Sequence, residues 1–427
     1  MAELADVARV EAKPRLGVNP ADCGWTSKLA GMQRFDIIVI GAGVIGTSVA
    51  YHLATLGATR VLVLDRGRIA EGTTAQSSGI LRTHYSVPEN VALARQSWRA
   101  FDDFAAYLGD DEASAGLVRC GYLIAAPAGP KAQALAASLD AQAALGIPVQ
   151  RLSPQDAQAL LPIAHFDDVA LIGHEPEAGF ADAHLVASAF ARAARRRGVR
   201  IVEGVAVQHL RRQAGSGAVL GVATDQGDFD APLVISAQNI WATDIARWTG
   251  IATPVTAERH QLLALQGPQA YTRAMPVFKD LASPGMIYCR SYGGTQMLVS
   301  EGTAGEALAS ADTAPGPISD DDVLRIAGQA AQRFPSFADA GLASAWTGVY
   351  DVTPDWNPVL GRLPDVPGLI VAYGFSGHGF KLSPAIGRVL AQEALGLPTD
   401  VALAPYALER FRSGRLLVGR YGRGAVS

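Results

Sequence analysis

The sequence predicts an α/β fold in which a domain built on a βαβ unit is interleaved with a second domain of mixed-sheet α+β type. Three observations predict it. A strand-length apolar run at 35–40 leads at once into a glycine-rich turn and a helical segment. A second strand–turn–helix segment follows residue 369. Between them, short apolar runs alternate with helical segments without a long linker.

The composition indicates a globular protein and limits the classes of partner that we expect. Apolar residues make up 49% and charged residues 18% of the 427 residues, enough to bury a sizeable core. A net charge of −4 gives no indication of a nucleic-acid partner. The three cysteines are far apart, so we expect no disulfide framework, no metal site and a reducing, cytoplasmic location. The sequence has no run of 18 apolar residues, so we expect no membrane span.

The strongest local signal is the βαβ unit over 35–65. Its first turn has the spacing GxGxxG, and its second strand ends in an acid; these residues are Gly41, Gly43, Gly46 and Asp65. The first glycine permits a tight turn, the second lets a pyrophosphate approach the backbone, and the third lets helix and strand pack closely. The acid can accept hydrogen bonds from a ribose. The unit therefore predicts a Rossmann-like domain that binds NAD or FAD.

The segment after Asp65 favours FAD. A simple NAD dehydrogenase usually continues with another helix and strand, whereas residues 71–82 form a small, polar, glycine-bearing loop. Such a loop can lie along an extended dinucleotide and lead a flavin ring into a second domain. Further cofactor contacts are predicted at Arg66, Thr73, Ser78, Gly79 and Val207.

The middle of the chain alternates between helices and strands. Helices are predicted at 93–107, 131–145, 182–197 and 319–334, with one more that begins after Ser153, and N-caps at Ser153, Asp182 and Ser319. Strands are predicted at 121–126, 199–203, 205–210, 218–224, 233–237, 259–265 and 297–300. We assign 1–33 to an N-terminal arm, 34–115, 178–250 and 345–427 to the FAD-binding domain, and 116–177 and 251–344 to a substrate domain.

The C-terminal third contains a second glycine-rich turn, between a strand at 369–372 and a helix that runs through Leu395. Free N–H groups at such a turn stabilise negative charge, such as that on the N1–C2=O edge of a reduced flavin. The predicted cofactor-binding residues here are Gly374, Gly377, His378, Gly379 and Phe380.

These segments together resemble the D-amino acid oxidase superfamily, and within it the branch of sarcosine oxidase β subunits and glycine oxidases. The resemblance is carried by 35–65, 72–85, 346–361 and 374–384, and it extends from about residue 34 to the end of the chain. It implies FAD and oxidation of the C–N bond of an amino acid or N-alkyl amino acid. Hydride would pass to flavin N5, and the imine would then hydrolyse.

The resemblance also implies substrate-site residues. Arg82 and Lys381 match an arginine and a lysine that bind the substrate carboxylate in monomeric sarcosine oxidase, and Tyr350 matches a tyrosine near the substrate pocket. Two cations from distant segments would clamp a carboxylate over the flavin. They would also disfavour the protonated form of the substrate amine, so a dedicated protein base is unnecessary.

The sequence departs from that enzyme at positions that affect chemistry. Gly348 replaces the cysteine that links the flavin, so we expect noncovalent FAD. Met297 replaces the lysine that activates oxygen in that enzyme. Because methionine offers no positive charge to stabilise superoxide, this replacement favours a dehydrogenase over an oxidase. His184 is out of register with the histidine that carries a second flavin in heterotetrameric sarcosine oxidase, so we expect no FMN. A partner subunit or another electron acceptor, a non-catalytic accessory role and a flavin monooxygenase stay open as alternatives.

Overall fold

The structure is a computed structural model that describes residues 33–268 and 274–420. The predicted N-terminal arm, apart from residue 33, lies outside the described residues. In the described part of the chain, no helix is both long and apolar enough to cross a membrane. The helices are α1 (Val44–Thr55), α2 (Pro88–Phe101), α3 (Phe104–Leu108), α4 (Pro130–Ala144), α5 (Pro154–Leu160), α6 (Ala183–Arg196), α7 (Thr243–Thr249), α8 (Asp320–Arg333), α9 (Gly379–Ala394) and α10 (Glu409–Ser413).

The strands form four sheets in the described ranges. In chain order they are β1 (Gln33–Arg34), β2 (Ile37–Ile40), β3 (Val61–Asp65), β4 (Ile80–Leu81), β5 (Val118–Arg119), β6 (Tyr122–Ala126), β7 (Gln150–Leu152), β8 (Leu171–Glu175), β9 (Gly179–Phe180), β10 (Arg200–Glu203), β11 (Val207–Arg212), β12 (Val219–Thr224), β13 (Gly227–Asp230), β14 (Leu233–Ser236), β15 (Thr256–Gln266), β16 (Val277–Asp280), β17 (Tyr288–Tyr292), β18 (Gln296–Ser300), β19 (Glu306–Ala307), β20 (Gly341–Val352), β21 (Val359–Arg362) and β22 (Leu369–Tyr373).

A six-stranded sheet carries the glycine-rich turns. Its order is β10-β3-β2-β14-β22-β21, and every neighbouring pair is parallel except β21 with β22. One face packs against α1, α6 and α9. The other packs against the four-stranded sheet β1-β13-β12-β11. Because both faces are covered, the central strands are continuous apolar runs, as in β2.

The second large sheet has nine strands in the order β19-β15-β18-β17-β16-β6-β8-β7, with β20 also paired to β15. One of its faces forms a core with α5 and α8. The three short strands β4, β9 and β5 form a separate small sheet. The mixture of a mainly parallel sheet and a mixed sheet confirms the predicted fold class. β20 crosses the boundary predicted between 344 and 345, and it belongs to the nine-stranded sheet.

Local predictions were most accurate where side chains cap helices. The N-caps predicted at Ser153, Asp182 and Ser319 are confirmed, and each accepts a backbone N–H from the first turn. The single helix predicted over 93–107 is wrong. It is divided into α2 and α3, because the Asp103 carboxylate accepts the Ala106 N–H at 3.0 Å and starts a new helix.

Candidate active site

A cavity of about 1070 Å³ lies where the carboxyl ends of β2 and β3 meet the start of α1. Its wall continues through residues 205–209, and through the short 3-10 helix Thr73–Gln76. On the side of the nine-stranded sheet it reaches residues 349–351. Ligands of open α/β sheets bind at the carboxyl ends of their strands, so this cavity is in the expected place.

The first glycine-rich turn fits a pyrophosphate. Gly41 has a φ of +105°, and a Cβ on it would lie 2.5 Å from the Ala237 carbonyl oxygen. A Cβ on Gly46 would collide with the Gly41 carbonyl oxygen. Gly43 is the N-cap of α1 and offers no side-chain cap. The N–H groups at the positive end of this helix therefore face a cavity that can hold a phosphate anion.

Asp65 both fixes the conformation of this turn and lines the cavity. Its carboxylate oxygens accept the backbone N–H of Ala42 at 2.6 Å and that of Gly67 at 2.7 Å. The carboxylate therefore fixes the conformation of the glycine turn. Asp65 also lines the cavity, and each oxygen has further lone-pair capacity for a ribose hydroxyl.

Three segments meet at another part of the wall. The Arg66 guanidinium lies 4.0 Å from the centre of the Trp241 ring. The Asp312 Oδ1 atom accepts hydrogen bonds from Trp241 Nε1 at 2.8 Å and from Arg66 at 3.2 Å. All three residues line the cavity. Trp241 and Asp312 were missed in the sequence, because no local motif marks either of them.

Most of the predicted cofactor-binding residues line this cavity: Gly41, Gly43, Asp65, Arg66, Thr73, Ser78, Val207, Gly377, Gly379 and Phe380. The other predicted residues, Gly46, Gly79, Gly374 and His378, are not among the residues that line this cavity. Gly79 packs against the Ala181 carbonyl oxygen with a φ of +72°, and Gly374 packs against Thr353 with a φ of +76°.

The second glycine-rich turn positions Tyr350. A Cβ on Gly377 would lie 2.6 Å from Cε2 of Tyr350, so only glycine lets the turn approach this ring. On another side, the ring stacks on His260 with centroids 3.9 Å apart. The neighbouring Asp351 accepts the Gly374 N–H at 2.6 Å, and burial raises the pKa of its carboxyl to about 7. Tyr350 and Asp351 both line the cavity.

A cluster of buried cations lies beside this wall, and we call Arg82, Lys279 and Lys381 the cation cluster. Their exposed fractions are 5%, 3% and 9%. Arg82, which follows β4, lies 4.5 Å from the Tyr85 ring centre. Lys381, in the first turn of α9, directly follows Phe380 of the cavity wall. Burial, and then the charge of Arg82, hold the pKa of Lys381 well below its usual value.

Lys279 and His378 show how closely these charges are grouped. Burial, followed by the charge of Arg82, lowers the pKa of Lys279 to about 7. Burial also holds the pKa of His378 well below its usual range, and the charges of Lys381, Arg82 and Lys279 lower it further. His378 is therefore a neutral residue on which the charges of the cation cluster act, and its Nδ1 lies 3.4 Å from the Tyr85 hydroxyl. The charge of Arg82 therefore acts on Lys381 and also on Lys279, which no motif marked.

The nearest carboxylates are largely engaged elsewhere. Glu175 is buried and accepts the backbone N–H groups of Thr83 at 2.7 Å and His84 at 3.0 Å. Burial raises the pKa of Glu175, while these hydrogen bonds and the charge of Arg82 lower it. Asp280, next to Lys279 in sequence, binds Arg333 at 2.9 Å. The site consequently gathers three basic side chains whose charged forms an anionic substrate would favour.

The structure corrects the interpretation of Met297. Its side chain packs in the core beneath α8 together with Leu265, Cys289 and Val299. Side chains alternate along a strand, so its neighbour Leu298 points to the opposite face. Leu298 pairs with Arg290, whose Nε donates to the Ser78 carbonyl oxygen at 2.6 Å in the cavity wall. Met297 therefore gives no information about how a flavin here is reoxidised.

Comparison with known proteins identifies the family. A model of the DAO family, described as FAD dependent oxidoreductase, matches residues 36–393. The chain belongs to the DAO family of FAD-dependent oxidoreductases. This membership confirms FAD as the cofactor and the class of amino acid or amine oxidoreductases as the class of enzyme.

Relatives cover this DAO-family chain to different extents. It is 28% identical to sarcosine oxidase subunit beta of Arthrobacter sp, over 92% of this chain and 95% of that protein. It is 25% identical to mitochondrial sarcosine dehydrogenase of Mus musculus, over 88% of this chain but only 41% of that protein. The crystal structure of L-proline dehydrogenase from P. horikoshii has the same fold, with a TM-score of 0.82 at 24% sequence identity. The superposition covers 90% of this chain and 100% of that chain.

Proposed function

We propose that this protein oxidises the C–N bond of an amino acid or an N-alkyl amino acid, such as sarcosine. One observation carries the proposal. The buried cations Arg82 and Lys381 are far apart in sequence, yet the charge of Arg82 acts on Lys381, which directly follows Phe380 of the cavity wall. A substrate carboxylate is the ligand whose charge and size match this pair. The similarity to sarcosine oxidase subunit beta supports the same substrate class.

The cation cluster would both bind and activate the substrate. A carboxylate that binds Arg82 and Lys381 offsets the cost of burying their charges. The same positive charges disfavour the protonated form of the substrate amine, so its pKa falls on binding. Bound FAD would supply the hydride acceptor for the adjacent carbon at N5, and the imine product would then hydrolyse in water. The protein's part is to orient the C–H bond and to exclude water, with Tyr350 as one wall.

We propose that FAD is held without a covalent bond. The first glycine-rich turn would bind the pyrophosphate, and Asp65 would bind a ribose. Gly348, on β20, offers no side chain for a flavin link. Acid precipitation tests this point, because noncovalent FAD stays in the supernatant. Yellow colour retained in the pellet would contradict it.

An anaerobic substrate screen tests the proposed reaction. N-methyl amino acids, proline and D-amino acids are mixed one at a time with the FAD-loaded protein, and bleaching of the flavin absorbance is followed. We expect at least one amino acid with a free carboxylate to bleach the flavin. A flavin that dithionite reduces but that no amine bleaches would instead indicate an accessory subunit. Rapid reduction by NADPH would indicate a monooxygenase.

We also propose that electrons leave through a partner subunit or a separate acceptor. Similarity to a protein named as a subunit, sarcosine oxidase subunit beta, supports this arrangement. Mass measurement of the protein purified from its natural source, without added salt, tests for a bound partner. A monomer that passes electrons only to oxygen would contradict the proposal.

A further inference from the structure

We infer that the substrate carries two acidic groups and that Lys279 binds the second one. This inference rests on the proposed function, because it assumes that Arg82 and Lys381 bind the first. Lys279 lies in β16, where every residue is buried, and its own exposed fraction is 3%. A buried strand position of this kind normally holds an apolar side chain, so a lysine there requires an explanation.

The direction of β16 places Lys279 on the face of the sheet opposite α8. Phe278 packs into the core beneath α8, so Lys279 projects from the opposite face. Its partner on β17 is Tyr288, whose hydroxyl lies 3.3 Å from that of Tyr350 in the cavity wall. On the other side, the partner of Val277 is Tyr122, whose ring centre lies 5.8 Å from the Arg82 guanidinium. Lys279 therefore shares a sheet face with Tyr122, which contacts Arg82, and with Tyr288, which contacts Tyr350.

The ammonium group has donors to spare. Its Nζ donates to the Met286 carbonyl oxygen at 2.5 Å and lies 5.6 Å from the Tyr288 ring centre. An ammonium has three N–H donors, so two are available for a ligand. Gly302 makes room for this group, because any Cβ at that position would collide with Nζ. Within 33–268 and 274–420, Lys279 forms no ion pair, since Arg333 occupies the adjacent Asp280.

The balance of charge then selects the substrate class. The cluster holds three basic groups, so a single carboxylate bound by Arg82 and Lys381 leaves Lys279 in a site of low dielectric without an anion of its own. A second carboxylate on the same substrate would offset that cost. Amines of this type are N-carboxyalkyl amino acids and N-alkyl derivatives of acidic amino acids. Of the five lysines in the sequence, two belong to this cluster.

Nonreactive acids test the inference without turnover. The FAD-loaded protein is titrated calorimetrically with glutarate and malonate, and with propionate as a monocarboxylate of similar size. We expect the better dicarboxylate to bind at least about tenfold more tightly than propionate, because it gains a charged contact in a buried site. Lys279→Met should remove this preference and change the propionate dissociation constant by less than about twofold.

Matched variants separate binding from folding. Lys131→Met removes an exposed lysine near the cluster and should leave both acids unaffected. Lys279→Arg keeps the charge and should keep part of the preference. Equal affinity of the wild type for mono- and dicarboxylates would overturn the inference. So would an equal loss of affinity for both acids in Lys279→Met, since Lys279 would then serve packing alone.

Failure here can be distinguished from failure of the proposed function. If sarcosine or another monocarboxylic amine bleaches the flavin while dicarboxylates bind no better than propionate, only the role of Lys279 is wrong. If neither acid class binds and no amine bleaches the flavin, the proposed function itself is wrong.

Discussion

Two sets of buried cations in this molecule differ in how their charge is compensated. Arg410 binds Asp355 through bonds of 2.7 and 3.0 Å, with side-chain exposures of 3% and 0%. Arg333 likewise binds Asp280 and Asp168. In the cation cluster, by contrast, Lys279 and Lys381 form no ion pair with any carboxylate in the described part of the chain.

This difference in compensation distinguishes cations that stabilise the fold from cations that are available to a ligand. A buried ion pair fixes two segments relative to each other, and removing one partner leaves an uncompensated charge. Cations without matching acids weaken the fold unless a ligand compensates them, so their presence beside a cavity indicates a binding function. Arg410–Asp355 accordingly ties α10 to the loop after β20, whereas the cation cluster adjoins the cavity wall.

Breaking a compensated pair should have the largest effect on stability. Arg410→Met leaves the Asp355 carboxylate buried without its partner, and we expect a loss of about 3–5 kcal/mol in the free energy of unfolding. Lys381→Met, which removes an uncompensated charge, should lose far less or even gain stability. Urea unfolding of both variants checks this. Equal losses would erase the distinction between the two sets of cations.

Removing a clamp residue should affect substrate binding instead. Arg82→Ala and Lys381→Ala each remove a charged partner of a desolvated carboxylate, and we expect each to weaken propionate binding by about 2–5 kcal/mol. Retention of FAD on a gel-filtration column should change much less. Arg388→Ala, on the exposed side of α9, is the matched control for Lys381. Unchanged titrations in both clamp variants would remove the carboxylate clamp from the account.

The pH dependence of the free energy of unfolding tests whether Lys279 carries a buried charge. Its pKa is lowered from 10.5 to about 7 in the folded protein, so between these values the unfolded state binds more protons. The free energy of unfolding should therefore rise as the pH rises from about 7 to 10.5. Below about pH 7, Lys279 is charged in both states, and the charge destabilises the folded protein by its full amount. The charged and titratable groups around Lys279 are Arg82, Lys131, Asp280, Tyr288, Cys289 and His378.

Lys279→Met should remove that dependence. We expect the variant to be more stable than the wild type by about 1–3 kcal/mol near pH 6.5, with the advantage shrinking toward about pH 10. Urea unfolding at several pH values measures the difference, with Lys131→Met as the exposed control. A constant difference across the range would show that Lys279 carries no buried charge.

The predictions from sequence succeeded where the relevant contacts are local. The turn at Gly41 and Gly43 and the acid Asp65 lie within one βαβ unit, so spacing alone marks them. Lys279, Asp351 and Asp312 come from separate segments that only tertiary packing brings to the site. The prediction for Met297 was wrong for another reason. A displacement of one residue along a strand moves a side chain to the other face, and Leu298 rather than Met297 lies on the face opposite α8.

The smallest expected effect concerns electron transfer to oxygen, and it tests the corrected register of β18. Leu298→Lys places a cation on the face toward the cavity, where it would stabilise superoxide and speed flavin reoxidation by at least about tenfold. Met297→Lys buries its charge beneath α8 and should lower stability without that gain. Stopped-flow mixing of the reduced protein with air-saturated buffer measures both. Faster reoxidation in Met297→Lys alone would reverse the assignment of faces.

In the proposed reaction, a substrate carboxylate bound by Arg82 and Lys381 brings an amine to the flavin. The most direct measurement compares each amino acid that bleaches the flavin anaerobically with the amine that lacks its carboxylate, such as proline with pyrrolidine. We expect rapid bleaching by the amino acid and none by the amine at the same concentration, and we expect Arg82→Ala to remove the advantage of the amino acid. Equal bleaching by both compounds would contradict it.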